Sequence, residues 1–309
     1  MTRTVAALLL LALLLSACAR VVAPASDGSA SGAEDGAPGQ GTASPEAPAG
    51  FGAAVLSAEY QLGFSNQVQT VQLVDGRYQQ GDRGDADYLS VFVTDYIAVG
   101  DLDGDDVEEA VALITENYGG SDSFVFLTVF RKQGETARYL TSTFLDDSPI
   151  IEGLSVLEGE VRVEAIVHGV DDPICCPSTF TKRAYRMYEG NLVLEELSTL
   201  TQAGQPREIA IDTPEDGEKV SESVRMTGRV TIAPFENTLV YRIYDMGGVE
   251  LSAGPIQVEA ESPGAPGTFQ ETIDLGDIIT NTTVRIEVQD LSAADGTMFA
   301  MDAVLLQVR

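Results

Sequence analysis

The sequence predicts a mainly β protein in two parts, a mostly antiparallel β-rich domain followed by a two-sheet sandwich. Three observations predict this. Runs of β-branched and aromatic residues recur through 51–309, separated by Asp, Gly and Asn, the texture of short strands and turns. Several runs alternate apolar and polar residues with period two, as in Val161-Arg162-Val163-Glu164-Ala165-Ile166-Val167 and in 224–232, which gives a strand one buried face. No long stretch carries the 3.6-residue apolar period of an amphipathic helix.

In chain order, residues 1–17 read as a signal peptide. Arg3 is followed by an apolar run from Val5 to Leu15, and a small-residue cut site closes it. The run is too short for a bilayer span, which needs about 20 apolar residues. Leu15-Ser16-Ala17-Cys18 resembles the lipobox of bacterial lipoproteins. That resemblance implies that Cys18 carries a covalent lipid and becomes the first mature residue, on the extracytoplasmic face of the cell membrane. Within residues 18–50, the stretch 23–50 holds no apolar side chain larger than alanine or proline and cannot build a core. As a flexible coil it would reach roughly 30 Å, the reach of a tether that lifts a folded part clear of the headgroups.

The chain has 48 acidic and 18 basic residues and a formal charge of -30. Such a surface repels phosphate backbones and anionic headgroups, so nucleic acid is not an expected partner and the membrane is reached through lipid. After Cys18, only Cys175 and Cys176 remain. Adjacent Cα atoms lie about 3.8 Å apart, below the usual disulfide span of about 4.4 to 6.8 Å. The pair is a candidate vicinal disulfide or two free thiols, in a loop that Pro173 and Pro177 stiffen.

In 51–201, strands are expected at 70–74, 88–99, 110–115, 123–131, 137–144, 150–157, 161–167, 180–188 and 192–197, with room for a helix before Tyr60. Asp75-Gly76, Glu158-Gly159 and Glu189-Gly190 supply residues tolerant of positive φ where hairpins need them. Residues 202–207, with Gly204 and Pro206, read as the link to the second domain, 208–309. There, alternation recurs in 224–232, 239–243 and 284–289, with turns at Gly247-Gly248 and Asp295-Gly296. About seven short strands in roughly 100 residues argue for a sandwich. Ile211-Asp212-Thr213-Pro214, Thr227-Gly228-Arg229-Val230, Pro234 to Leu239, Gly267-Thr268-Phe269 and Ser292 to Gly296 resemble the immunoglobulin-like domain first named from bacterial spore-germination proteins. The resemblance implies an extracytoplasmic, non-catalytic immunoglobulin-like sandwich.

The sharpest local signal is Gly100-Asp101-Leu102-Asp103-Gly104-Asp105-Asp106-Val107-Glu108-Glu109, with six carboxylates in nine residues. At about 5 Å and an effective dielectric near 20, each like-charge pair repels by about 3 kcal/mol, so a cation would relieve the loop. Asp101, Asp103, Asp105 and Glu109 at relative positions 1, 3, 5 and 9, with the Val107 carbonyl at 7, fit one calcium ion. The spacing resembles the calcium loops of integrin-type repeats. It departs from them at Asp106, where glycine usually eases the turn, and a solvated acidic turn is the competing reading. The loop occurs once, which excludes a propeller array. Arg83-Gly84-Asp85 reads as a Gly/Asp turn.

No Gly-x-Ser-x-Gly, His-Glu-x-x-His, phosphate-loop or Ser-x-x-Lys motif is present, and His168 is the one histidine. No base-orienting partner for it is visible in the sequence. The expected role is therefore binding or scaffolding in the cell envelope, toward an envelope protein or glycan, without catalysis. The alternatives are an envelope hydrolase using carboxylates of the first domain, which would need two about 5 to 9 Å apart beside a groove, and a solute-binding lipoprotein, which would show a pocket at a domain junction.

Overall fold

The computed structural model describes residues 50–64 and 68–309. The signal peptide, Cys18 and the tether up to residue 49 lie outside the described residues.

A short helix, α1 (Phe51–Ala54), and a 3-10 turn (Val55–Ser57) precede a two-stranded ribbon, β1 (Glu59–Gln61) and β2 (Thr70–Gln72). An antiparallel meander follows: β3 (Arg77–Gln80), β4 (Leu89–Gly100), β5 (Glu109–Asn117), β6 (Phe124–Gln133) and β7 (Thr136–Asp147) form a five-stranded sheet in sequence order. A second meander, β8 (Ile150–Leu157), β9 (Glu160–Val167), β10 (Thr179–Tyr188) and β11 (Asn191–Leu200), packs against it. The central strand β5 is buried on both faces. Ala110, Ala112 and Ile114 pack with Val55, Tyr60, Leu62 and Leu73 of the N-terminal segment. Val111 and Leu113 face the other way, onto Val161, Val163, Ala165 and Tyr185 of the second meander. This explains why β5 reads as a continuous apolar run whereas β9, solvated on one face, alternates. In β9, Val161, Val163, Ala165 and Val167 are the buried set.

Three expected hairpin turns form with the backbone their residues favour. Asp75 and Gly76, Glu158 and Gly159, and Glu189 and Gly190 all have positive φ, as a two-residue type I′ loop requires.

Residues 206–207, placed in the link by the sequence, form β12 (Pro206–Arg207) and pair with the end of β11. The C-terminal part contains β13 (Ile209–Thr213), β14 (Glu218–Val220), β15 (Ser223–Val230), β16 (Thr238–Asp245), β17 (Glu250–Ala260), β18 (Gly267–Asp274), β19 (Thr282–Leu291) and β20 (Met298–Val308). β13, β15 and β18 make one layer; β16, β19, β20 and the parallel partner β14 make the other. β17 serves both, pairing with β16 along its first part and with β18 through Val258, Glu259 and Ala260. Met226, Val230, Phe269 and Ile273 meet Leu239, Ile243, Val284, Ile286 and Leu306 in the core between the layers. Each strand contributes alternate residues, as sandwich packing demands.

The two parts are joined in one sheet. β11 pairs with β20 at Glu196↔Asp302 and Leu197↔Met301. Thr199 Oγ1 donates to the Phe299 carbonyl at 2.8 Å, and Arg285 Nη1 donates to the Leu194 carbonyl at 2.8 Å.

Candidate functional site

The acidic loop connects β4 to β5, and its backbone is wound around its own carboxylates. Asp101 accepts from the amides of Gly104 (2.8 Å) and Asp106 (3.0 Å), and Asp105 Oδ1 accepts from Val107 N at 2.9 Å. Asp106 takes φ 63°, so the turn expected to want glycine is made by an aspartate, a residue that enters the left-handed region more readily than most.

Asp101, Asp103 and Glu109 each place one carboxylate oxygen so that all three lie within 4.8 Å of one another. Asp105 turns instead to Arg131 on β6, in a close ion pair. Val107, expected to contribute its carbonyl, is partly exposed and spends its amide on Asp105. Glu109 is the buried member at 1% exposure. Its Oε2 accepts from Leu102 N at 3.1 Å, while Oε1 has no hydrogen-bond partner. Burial pushes the Glu109 carboxyl above the usual carboxylate range, and the Leu102 amide opposes this. The Asp105 carboxyl is held below that range, first by the Val107 amide and then, against some desolvation, by Arg131. Three converging oxygens, one of them from a buried carboxylate, suit a hard divalent cation.

A second feature lies where the two parts meet. A groove of about 860 Å³ is walled by β9, β10 and β11 on one side and by Asp295, Thr297 and Phe299 on the other. The two ends of the loop 168–178, residues 168–172 and Ser178, line its rim. Asp172 closes that loop, accepting from Gly169 N, Ser178 N and Ser178 Oγ, each at 2.8 Å. The Gly169 amide is the main reason its carboxyl sits below the usual range. Cys175 and Cys176 are joined by a disulfide at the exposed tip, with their Cα atoms 3.7 Å apart.

His168 stands just past β9, and the structure supplies the partner that the sequence hides. Its Nδ1 lies 3.0 Å from Asp146 Oδ2 at the end of β7, and its Nε2 lies 3.0 Å from the Ile174 carbonyl. Both neighbours are acceptors, so the imidazolium, donating from both nitrogens, satisfies the pair. Burial alone would lower the His168 pKa; the hydrogen bonds to Asp146 and Ile174 outweigh it and raise it.

A third cluster, invisible in the sequence, is structural. Glu116, fully buried, accepts from Tyr60 Oη (2.6 Å) and Gly63 N (2.7 Å) on one oxygen and from Tyr118 Oη (2.5 Å) on the other. These bonds fasten the N-terminal segment to β5. The Arg83-Gly84-Asp85 stretch is a turn, with Asp85 Oδ2 accepting from Asp82 N at 3.0 Å.

Two stacked meanders fused edgewise to a sandwich define a two-part β protein whose C-terminal part is immunoglobulin-like. Residues 208–297 match the family model of Gmad2, the immunoglobulin-like domain of bacterial spore germination. No curated protein shows significant similarity to the chain.

Proposed function

We propose that the protein is a lipid-anchored, extracytoplasmic binding module of the cell envelope, without catalytic activity, whose ligand seats in the groove at the junction of its two parts. The observation that carries this reading is the groove itself, a concavity that neither part makes alone. Phe180 and Phe299, the latter with the Arg207 guanidinium stacked on its ring, line the groove together with Ser178, Thr179 and Thr201, a mixture of apolar faces and polar groups that suits a sugar ring. The overall charge of -30 disfavours polyanions, so the ligand class is a neutral glycan. Binding is favoured over hydrolysis by the engagement of the acid–base groups at the rim. His168 Nδ1 is held by Asp146 of β7 and Nε2 by the Ile174 carbonyl, and both Asp172 oxygens accept from Gly169 or Ser178.

The anchor reading rests on Leu15-Ser16-Ala17-Cys18. Among the described residues no helix is long and apolar enough to cross a membrane. Calcium at Asp101, Asp103 and Glu109 is part of the proposal, as a steadying ion for the first domain.

The test titrates N-acetylglucosamine oligomers into the purified chain by calorimetry and NMR. Shifts confined to groove residues, lost in Phe299→Ala, are the expected result; absence of binding at millimolar oligomer would remove the glycan. Fatty-acid labelling that persists in Cys18→Ser would remove the anchor.

A further inference from the structure

We propose that Arg131 is a built-in counter-cation of the acidic loop, so that a divalent cation enters by displacing its guanidinium and the site switches between two occupants. The proposal deepens the calcium reading above and rests on it.

The register of the sheet puts Arg131 directly across from Glu109, its paired residue on β6. From there the guanidinium reaches three of the loop's carboxylates. Nη2 lies 3.2 Å from Asp103 Oδ2 and in a close ion pair with Asp105, and Nε lies 3.4 Å from Glu109 Oε1. Two of these, Asp103 and Glu109, belong to the converging triad. The same carboxylates therefore serve either the guanidinium or a metal ion.

A second observation says that the guanidinium is an incomplete occupant. Glu109 is 1% exposed, yet its Oε1 receives no hydrogen bond, its contact with Arg131 Nε being an ion pair at 3.4 Å. A buried carboxylate oxygen left without a donor is unfavourable. A cation held by Asp101, Asp103 and Glu109 would offset that buried charge.

The displaced side chain has somewhere to go. Arg131 is 32% exposed and Asp105, outside the triad, is 43% exposed, so the pair can persist at the rim after the triad fills. A guanidinium at the mouth of a divalent site repels the ion, which lowers affinity toward the 10⁻⁴ to 10⁻³ M range of extracellular calcium modules. That range suits a protein outside the cytoplasm.

The test measures calcium binding to the full chain by calorimetry, for the native protein and for Arg131→Gln, Arg131→Lys and Glu109→Gln. Arg131→Gln is expected to tighten binding by tenfold or more. Arg131→Lys, which keeps the charge, should stay near the native affinity, and Glu109→Gln should abolish binding. Native binding with no tightening in Arg131→Gln would overturn the competition and leave the calcium site standing. No binding in any form would overturn both. Should Arg131→Gln not fold, side-chain ¹⁵N spectra of the native protein decide: the Arg131 Nε–H signal must move on calcium saturation, and an unchanged signal sinks the proposal.

Discussion

Asp302 of β20 faces Glu196 of β11 across the short seam that makes one sheet of the two parts. Both residues carry carboxylates, and Asp302 also holds the amides of Ile211 (2.6 Å) and Ala303 (2.9 Å). Burial pushes the Asp302 pKa up to about 6; the two amides oppose this, while Glu196 and Glu195 add to it. The folded protein thus takes up a proton at this position before the unfolded chain does, whose aspartate titrates near about 3.9. The destabilisation is present above pH 6 and is relieved as pH falls from about 6 toward 4, by about 2 kcal/mol. Glu196→Gln should lower the Asp302 pKa and flatten this dependence. Carbon-detected NMR titration checks it, and an Asp302 that titrates near 4 in the native protein would refute the account.

The His168 contact predicts the opposite sign at the groove rim. Its pKa is raised above 6.5 because Asp146 and the Ile174 carbonyl overcome the effect of burial, with Asp147 adding a smaller pull. The stabilisation is therefore complete below pH 6.5 and lost as pH rises through the folded-state value. Amide exchange of residues 170–176 should quicken above that value. His168→Ala should make it fast at every pH; exchange that is equally slow in the variant would show that Asp172 holds the loop unaided.

Glu109→Gln should separate stability from ion binding. The amide keeps an acceptor for Leu102 N and removes a charge that burial disfavours, while Arg131 keeps Asp103 and Asp105 as partners, so the variant in chelator should be no less stable than the native protein. Calcium at 100 times its dissociation constant should add about 2.7 kcal/mol to the native protein and nothing to the variant. Melting curves with calcium and with chelator report both effects.

Gly228→Ala should destabilise the sandwich. Gly228 is buried on β15, and a Cβ there would fall inside contact distance of both the Phe269 ring and the Ala210 carbonyl oxygen. The ring could turn, but the carbonyl belongs to the paired strand β13 and cannot yield. A cost of about 1–3 kcal/mol is expected, read as an equal loss in urea unfolding. A neutral result would mean that the β13–β15 pairing is looser than described.

Much of the fold was legible because its signals are local. The alternation of 161–167, the positive-φ pairs at 75–76, 158–159 and 189–190, and the immunoglobulin-like motifs of the C-terminal part each act within a few residues. The loop at 101–109 was legible as an acidic cluster for the same reason. Its wiring was not. Arg131 meets Glu109 through the register of β5 and β6, whose connection at 118–123 is too long to fix that register as a two-residue turn would. Asp146 reaches His168 from a strand 22 residues away, and Tyr60 reaches Glu116 across 56 residues.

By itself the sequence determined the β texture, the turns, the acidic loop and the sandwich, since each follows from side-chain period or backbone preference over short spans. Only the tertiary structure decided which strands became neighbours, and with that the Arg131 contact, the His168 pairing, the β11–β20 seam and the groove beside it. Charges separated by tens of residues acquire a partner only once sheet register and layer packing bring them within a few ångströms.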